Sequence, residues 1–430
     1  MTANEALSPT RATLSDLTQV FGRIGILSFG GPAAQIGLMH RELVDERSWL
    51  SEEEYLNALS FCMLLPGPEA MQLATYAGWK LRGVPGGLIA GLLFVLPGAA
   101  IVLALALGYA YLGALPAVDA LMLGVKATVV VIVIEALLKV AKRALGDRVG
   151  WVIAGLAFAA IFALNLPFPL IIAAAAAWGA IRANSEPGLA PPPAAQARLS
   201  DTVRTIGIWL VIWLGPLLAL WLGGATFLTD LGLFFSKLAV VTFGGAYAVL
   251  AYMTQEVVNT FGWLTTEEMM AGLGLAETTP GPLILVTEFV GLLAGFKEAG
   301  LGLAVAAAIV TLWMTFAPCF LWIFAGAPYI EWIASRPRLT GALRAITAAV
   351  VGVILNLSIW FGLHVFFTDV STVSAGPLTL ALPDPGTLDW RAVLLAIGAG
   401  ILLLRFKYSV ITVLAVAATA GLVLGLAFPA

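Results

Sequence analysis

Long apolar segments follow one another along almost the whole chain: roughly 17–39, 55–82, 84–112, 117–141 and 149–181, then 205–228, 231–253, 269–297, 299–325, 342–367 and 390–428. Most are long enough for a helical crossing of a bilayer, which takes ~20 residues. No other feature constrains the fold as much, because inside lipid every backbone amide must be satisfied within the chain, which leaves only helices or closed barrels. The runs are continuous, whereas membrane strands alternate over ~10 residues. Charged residues make up 11% of the chain and hydrophobic ones 60%; a soluble fold with so few charges could not cover its surface. The expectation is an all-α polytopic membrane protein. Residues 1 to 14 lack the basic start, apolar core and small-residue cleavage site of a signal peptide, so none is expected. The polar stretch from Arg182 to Arg204, with Pro191-Pro192-Pro193, reads as a linker.

The chain repeats itself. Phe29-Gly30-Gly31 recurs as Phe243-Gly244-Gly245, Trp49-Leu50 as Trp263-Leu264, and Pro66-Gly67-Pro68 as Pro280-Gly281-Pro282, all 214 residues apart. Over positions 29–68 and 243–282, 15 of 40 are identical. Similarity continues at an offset of 221, where Val125-Lys126-Ala127 faces Ile346-Thr347-Ala348. The expected organisation is a first membrane module over 1–182, a linker over 183–204, an extra apolar segment over 205–228 and a second module over 229–430. Loop charges alternate between the halves. Arg41 and Arg47 precede Trp49, while the matching loop before Trp263 has no base; the loop at 113–119 has none, while its mate has Arg336 and Arg338. Lys139, Lys142, Arg143 and Arg148 face a stretch at 368–389 that carries only acids. Bases favour the cytoplasmic side, so the modules are expected to have inverted topology.

Two interruptions fall at matching places in both modules. One is Phe-Gly-Gly, preceded by Ser28 or Thr242; the other is Pro-Gly-Pro, which cuts 55–82 into pieces too short to cross. Proline removes a donor and glycine permits unusual dihedrals, so broken or re-entrant helices are expected. A single such motif would read as a packing kink, but its recurrence in both modules favours a functional break. Ser51…Glu54 and Thr265…Glu268 each fit a capping box where the broken segment begins. The second half of each broken helix, starting at Pro68 or Pro282, turns its free N–H groups towards the break, which favours an anion. Ser28, Thr242, Thr278 and Thr279 are nearby hydroxyl donors. The candidate binding set is therefore Ser28, Gly30, Gly31, Pro66, Gly67, Pro68, Thr242, Gly244, Gly245, Thr278, Thr279, Pro280, Gly281 and Pro282. A small tetrahedral dianion would suit it.

Charged residues in apolar segments add candidates. Lys126, about ten residues into its segment, is expected to help neutralise the dianion, the alternative being a pair with an acid on a neighbouring helix. Glu69 directly follows Pro-Gly-Pro, and could link proton and anion occupancy or simply stabilise a helix start; Leu283 replaces it in the second module. Glu277 and Glu288 bracket the second Pro-Gly-Pro and are weaker coupling candidates. Arg405 and Lys407 divide 390–428 as Asn165-Leu166-Pro167 divide 149–181, reading as short helical hairpins with snorkelling bases. Lys80 and Arg82 read as topology anchors ahead of an anion entrance. His40, in a charged loop, reads as solvated rather than as a proton relay.

The repeated Phe-Gly-Gly, Trp-Leu-Ser/Thr-x-x-Glu and Pro-Gly-Pro stretches closely resemble the chromate ion transporter family, in its long two-module form, over nearly the whole chain. The resemblance implies a multi-pass carrier of the inner membrane that expels chromate, with sulfate as a competing analogue. Its drive would be an ion gradient, the proton motive force first among them. The alternatives are an anion channel or a carrier for another oxyanion. An enzyme is a poor reading, since no nucleotide loop, metal cluster or Ser/His/Asp set stands out. Cys62, Cys319, His40 and His364 lack metal-ligand spacing, so no metal or cofactor is expected. The net charge of −3 invites no nucleic acid. Oligomeric state is open, a homodimer included.

Overall fold

The computed structural model describes residues 12–183, 198–243, 245–334, 336–375 and 378–428. The first module runs α1 (Leu14–Leu27), α2 (Gly31–His40), α3 (Glu52–Cys62), α4 (Glu69–Leu112), α5 (Pro116–Ala144), α6 (Arg148–Phe162) and α7 (Phe168–Arg182). An unmatched helix, α8 (Leu199–Leu222), follows. The second module runs α9 (Thr226–Val241), α10 (Ala246–Gln255), α11 (Thr266–Thr278), α12 (Val286–Ala299), α13 (Leu301–Gly326), α14 (Ile330–Ala334), α15 (Pro337–Phe366), α16 (Trp390–Gly400) and α17 (Val410–Ala427). Between α15 and α16 lies an antiparallel hairpin, β1 (Val370–Ala375) with β2 (Leu378–Pro383). This pair, with an isolated bridge between Phe367 and Leu388 beside it, departs from an all-α fold; the β-branched Val370, Thr372 and Val373 and the alternating Leu378-Thr379-Leu380 are signals of strands. Among the described residues six helices are long and apolar enough to cross a membrane. Most of the linker, 184–197 with its four prolines, lies outside the described residues.

Local chemistry explains the boundaries. Capping boxes start α1 at Thr13/Asp16, α3 at Ser51/Glu54 and α11 at Thr265/Glu268. Pro116 and Pro337 open α5 and α15, where a missing N–H costs nothing. α4 bends at Arg82-Gly83, where Gly83 takes φ 62° and the backbone leaves the helix; Gly300, at φ 75°, separates α12 from α13 at the equivalent place. The turns of the α6–α7 and α16–α17 hairpins carry Asn165 at φ 53° and Lys407 at φ 56°, two uncommon left-handed residues 242 positions apart. The extra segment differs from its expected bounds: helix begins at Leu199, inside the polar stretch, and residues 226–228 already belong to α9.

Each broken element is a V. The outer ends of α3 and the first part of α4 are joined by Glu54–Lys80 at 3.2 Å; the outer ends of α11 and α12 are joined by Glu268–Lys297 at 2.9 Å. Arg82 donates to the Ala12 carbonyl, which fixes the start of α1 at the same end as the α4 bend. The terminal hairpins are exchanged between modules: α6 and α7 pack on α15, while α16 and α17 pack on α5. Small residues allow this close approach. A Cβ on Gly179 would lie 2.2 Å from the Gly341 carbonyl oxygen, and one on Gly421 2.9 Å from that of Ala120, the equivalent contact. α5 and α15, mates in the repeat, run in opposite directions. Arg344, near the start of α15, pairs with Asp147, just past the end of α5, at 3.4 Å. The Asp389 N–H bonds the carbonyl of Phe366, at the end of α15, and Arg391 beside it is within electrostatic reach of Asp119, at the start of α5.

Candidate functional site

The two modules meet at their breaks. The Gly67 N–H donates to the Thr242 carbonyl at 2.8 Å, and the Gly281 N–H donates to the Ser28 carbonyl at 2.9 Å. Gly67 is the mate of Gly281, and Ser28 of Thr242, so each half gives and receives the same bond, the signature of a two-fold relation. The glycines are obligatory at these points: φ is 119° at Gly67 and 91° at Gly281. Gly30, Gly31 and Gly245 also take positive φ, at 88°, 79° and 102°. Gly244 lies outside the described residues. Pro66, Pro68, Pro280 and Pro282 flank the clasped glycines, so the structure brings most of the expected binding set together.

The hydroxyls do something other than expected. Ser28 donates to Ile24 O at 2.6 Å, Thr242 to Leu238 O at 2.6 Å, Thr278 to Leu275 O at 2.7 Å and Thr279 to Ala276 O at 2.9 Å. Each caps its own helix end, because a short hydroxyl in an apolar surround takes the nearest free carbonyl. Their protons are taken up by main-chain carbonyls. Lys126 also departs from expectation. Its ammonium pairs at 3.7 Å with Asp119, two turns back on the same helix, and not with a neighbouring helix or the breaks. Helical side chains lean towards the N-terminus, and a lysine stem can carry its charge to the helix end. Glu135, which sequence spacing separates from Lys126, pairs with Lys139 at 2.7 Å.

Two residues escaped the sequence reading. Gln35, 1% exposed, donates through Nε2 to both Gly281 O, at 2.6 Å, and Ser28 O, at 3.1 Å, bridging the modules beside the clasp. Gln72, fully buried, donates to Pro66 O at 2.7 Å. Both amide oxygens are buried without a protein donor. Their mates are Val249 and Val286, and a buried amide facing a valine across the repeat was the available signal. Glu69 is half-buried at the first helix start, and its carboxylate folds back on its own N–H. Glu277 accepts from Tyr247 at 2.8 Å and faces Glu135 and Lys139 of α5. Glu288 is 2% exposed within α12, where Oε2 has no partner.

The two breaks differ in access. Gly30, Ala33 and Ala34 are exposed and Pro66, Pro68 and Glu69 half-buried, whereas at the second break Phe243, Gly245, Ala246 and Tyr247 are half-buried and Thr279, Pro280, Gly281 and Pro282 buried. In the same sense α10 packs on α15 and α11 on α5, and the mates α2 with α5 and α3 with α15 make no comparable contact. At the same end as the open break, outside the spans, His40 lies 2.6 Å from Glu52 and 3.4 Å from Asp45; the hydrogen bond to Glu52 pushes its imidazole above the usual value. Lys80 is held by Glu54, as an anchor would be. Among the described residues no group of acids, histidines and cysteines could hold a metal.

Half-helices from two repeats, meeting inside a polytopic helical protein, are the architecture of a membrane transporter. Comparison with known proteins narrows the class. The sequence profile of the chromate transporter family matches residues 15–180 and 229–422, and the chain belongs to that family. It is 31% identical over 373 residues to the chromate transport protein of Cupriavidus metallidurans, covering 86% of this chain and 88% of that one. Over 385 residues it is 31% identical to a Synechococcus elongatus protein named "Probable chromate transport protein", covering 87% and 92%. No solved structure matches. Members of this family are transporters and not enzymes.

Proposed function

We propose that the chain is a secondary transporter that exports chromate across the inner membrane by alternating access, with sulfate as a competing analogue and the proton gradient as its drive. The observation that carries this reading is the reciprocal clasp, Gly67 to Thr242 and Gly281 to Ser28. A site reached in turn from two faces needs two half-structures that can exchange roles, and a two-fold axis supplies them. The opposed directions of α5 and α15 support an axis in the membrane plane. α8 supports it too, since a single crossing without a mate reverses the second module relative to the first. The more open first break and the more buried second one fit a carrier caught facing one side.

The anion would lie at the open break, against the unpaired N–H groups at the start of α4. Glu69 sits there, and the Tyr247–Glu277 pair flanks the other break, which makes these the first coupling candidates; Glu288 lies deeper in α12. The hydroxyls at Ser28, Thr242, Thr278 and Thr279 would join the anion only by turning away from their carbonyls. Everted membrane vesicles test the reading, with radiolabelled chromate and sulfate under imposed pH gradients. Saturable chromate uptake that responds to the gradient is expected. Unsaturable electrical conductance would make the protein a channel, and no movement of either anion under any gradient would sink the assignment.

A further inference from the structure

A second polar cavity, of about 360 Å³, lies well away from the clasp, under the β1–β2 hairpin. Asn356 and His364 project into it from one face of α15, at a spacing of two helical turns, with Trp360 between them. Thr254 and Gln255 come from the end of α10, about ten residues and so ~15 Å beyond the second break, and Asn259 from the π-helical turn that follows, Glu256–Thr260. Asn165 comes from the α6–α7 turn and accepts from Gln255 at 3.2 Å, leaving its own NH₂ donors free. Thr254 is 2% exposed, and its hydroxyl has no protein partner. The described wall carries no Asp, Glu, Lys or Arg. It is a donor-rich pocket without charge.

The repeat gives this pocket a meaning. Asn356, Trp360 and His364 are the mates of Glu135, Lys139 and Arg143; Gln255 and Asn259 are the mates of Arg41 and Asp45; Asn165 is the mate of Lys407. These six uncharged residues thus have charged counterparts at the other end of the molecule, four bases and two acids. We infer that the pocket is a second oxyanion site, the uncharged release vestibule opposite a cationic entrance. Placement of bases on the cytoplasmic side alone explains the charged end, but it does not require a cavity of amide and hydroxyl donors at the other. Hydrogen bonds without a cation hold an oxyanion weakly, which suits a point of departure. The inference rests on the transport reading given above.

Cys62 and Cys319 are both buried, so Thr372→Cys on the hairpin would be a lone accessible thiol in the full-length protein in liposomes. Sulfate is the probe, because chromate oxidises thiols. Millimolar sulfate is expected to slow labelling of this thiol by an impermeant maleimide. Asn165→Lys, which restores the charge of its mate, should lower the sulfate needed for half-protection by about tenfold and slow chromate exit. Labelling indifferent to sulfate in both backgrounds, in liposomes that still carry chromate, would overturn the vestibule and spare the transport reading. Protection without chromate flux would do the reverse.

Discussion

Gly67→Ala is the sharpest test of the clasp. At φ 119°, alanine is strained by about 1–3 kcal/mol. Its Cβ would stand 2.8 Å from Gln72 Nε2 and 3.0 Å from Cys319 Sγ, two side chains packed in a buried site, and overpacking of this kind costs a further ~1–3 kcal/mol. Together the change should cost about 2–6 kcal/mol. Its mate is milder. Gly281→Ala carries the strain of φ 91°, but its nearest neighbour is the flexible Leu285 Cδ1 at 3.0 Å, so about 1–3 kcal/mol is expected. Gly155→Ala, in mid-helix with nothing within 4 Å of the new carbon, serves as a control and should be neutral or stabilising by up to ~1 kcal/mol. Thermal unfolding can be followed with a thiol-reactive fluorophore, since both cysteines are buried until the fold opens. The order of melting temperatures should be control, Gly281→Ala, Gly67→Ala, with several degrees between the first and last. If Gly67→Ala melts and transports like the wild type, the breaks are not held as described.

Lys126→Ala should retain chromate transport, with a stability loss of at most ~1 kcal/mol, because Asp119, its partner, is 72% exposed; abolished transport with intact folding would restore the lysine to the anion path. Gln35→Leu should cost ~1–3 kcal/mol by stripping the Ser28 and Gly281 carbonyls of a buried donor, read as a lower melting temperature, and a neutral effect would count against the bridge. Glu277→Gln should flatten the pH dependence of transport more than Glu135→Gln does, and equal profiles would remove the Tyr247–Glu277 pair from coupling. For His40 the folded value is raised, so the pairing with Glu52 stabilises fully below the unfolded value of about 6.5 and fades as pH rises through the folded one. His40→Asn should therefore lower the melting temperature at pH 6 and have little effect in alkali, and a pH-independent difference would refute the ion pair.

Much of this architecture can be read in the residues because duplication writes each signal twice. Pro-Gly-Pro marks a break once and a design when repeated, and the capping boxes at Ser51 and Thr265 mark where each broken element begins. What stayed hidden was side-chain direction. Lys126 lies within an apolar run, but the lean of its stem takes its charge back to Asp119. Ser28 and Thr242 stand beside the breaks, yet their protons return to Ile24 and Leu238. Gln35 and Gln72 leave little trace in the sequence, because an uncharged amide in an apolar run alters hydropathy little. The strands of the β1–β2 hairpin are six residues each, too short for their pattern to stand out between the flanking Asp369 and Asp384.

The repeat also separates frame from chemistry. The clasp is made wholly of main-chain N–H and C=O groups, which the two halves share whatever their side chains. The polar groups around it are not shared: Gln35 faces Val249, Gln72 faces Val286, Glu69 faces Leu283, and the Tyr247–Glu277 pair faces Ala33 and Met63. A symmetric frame holding an asymmetric lining can host one anion between both halves more readily than one in each. Exchanging the lining at one mate pair, Glu69→Leu with Leu283→Glu, moves a carboxyl across the clasp without altering its backbone. If a single shared site exists, the double exchange should restore part of the flux that Glu69→Leu alone removes, with an altered pH profile. If the halves work independently, the second change adds nothing or deepens the loss.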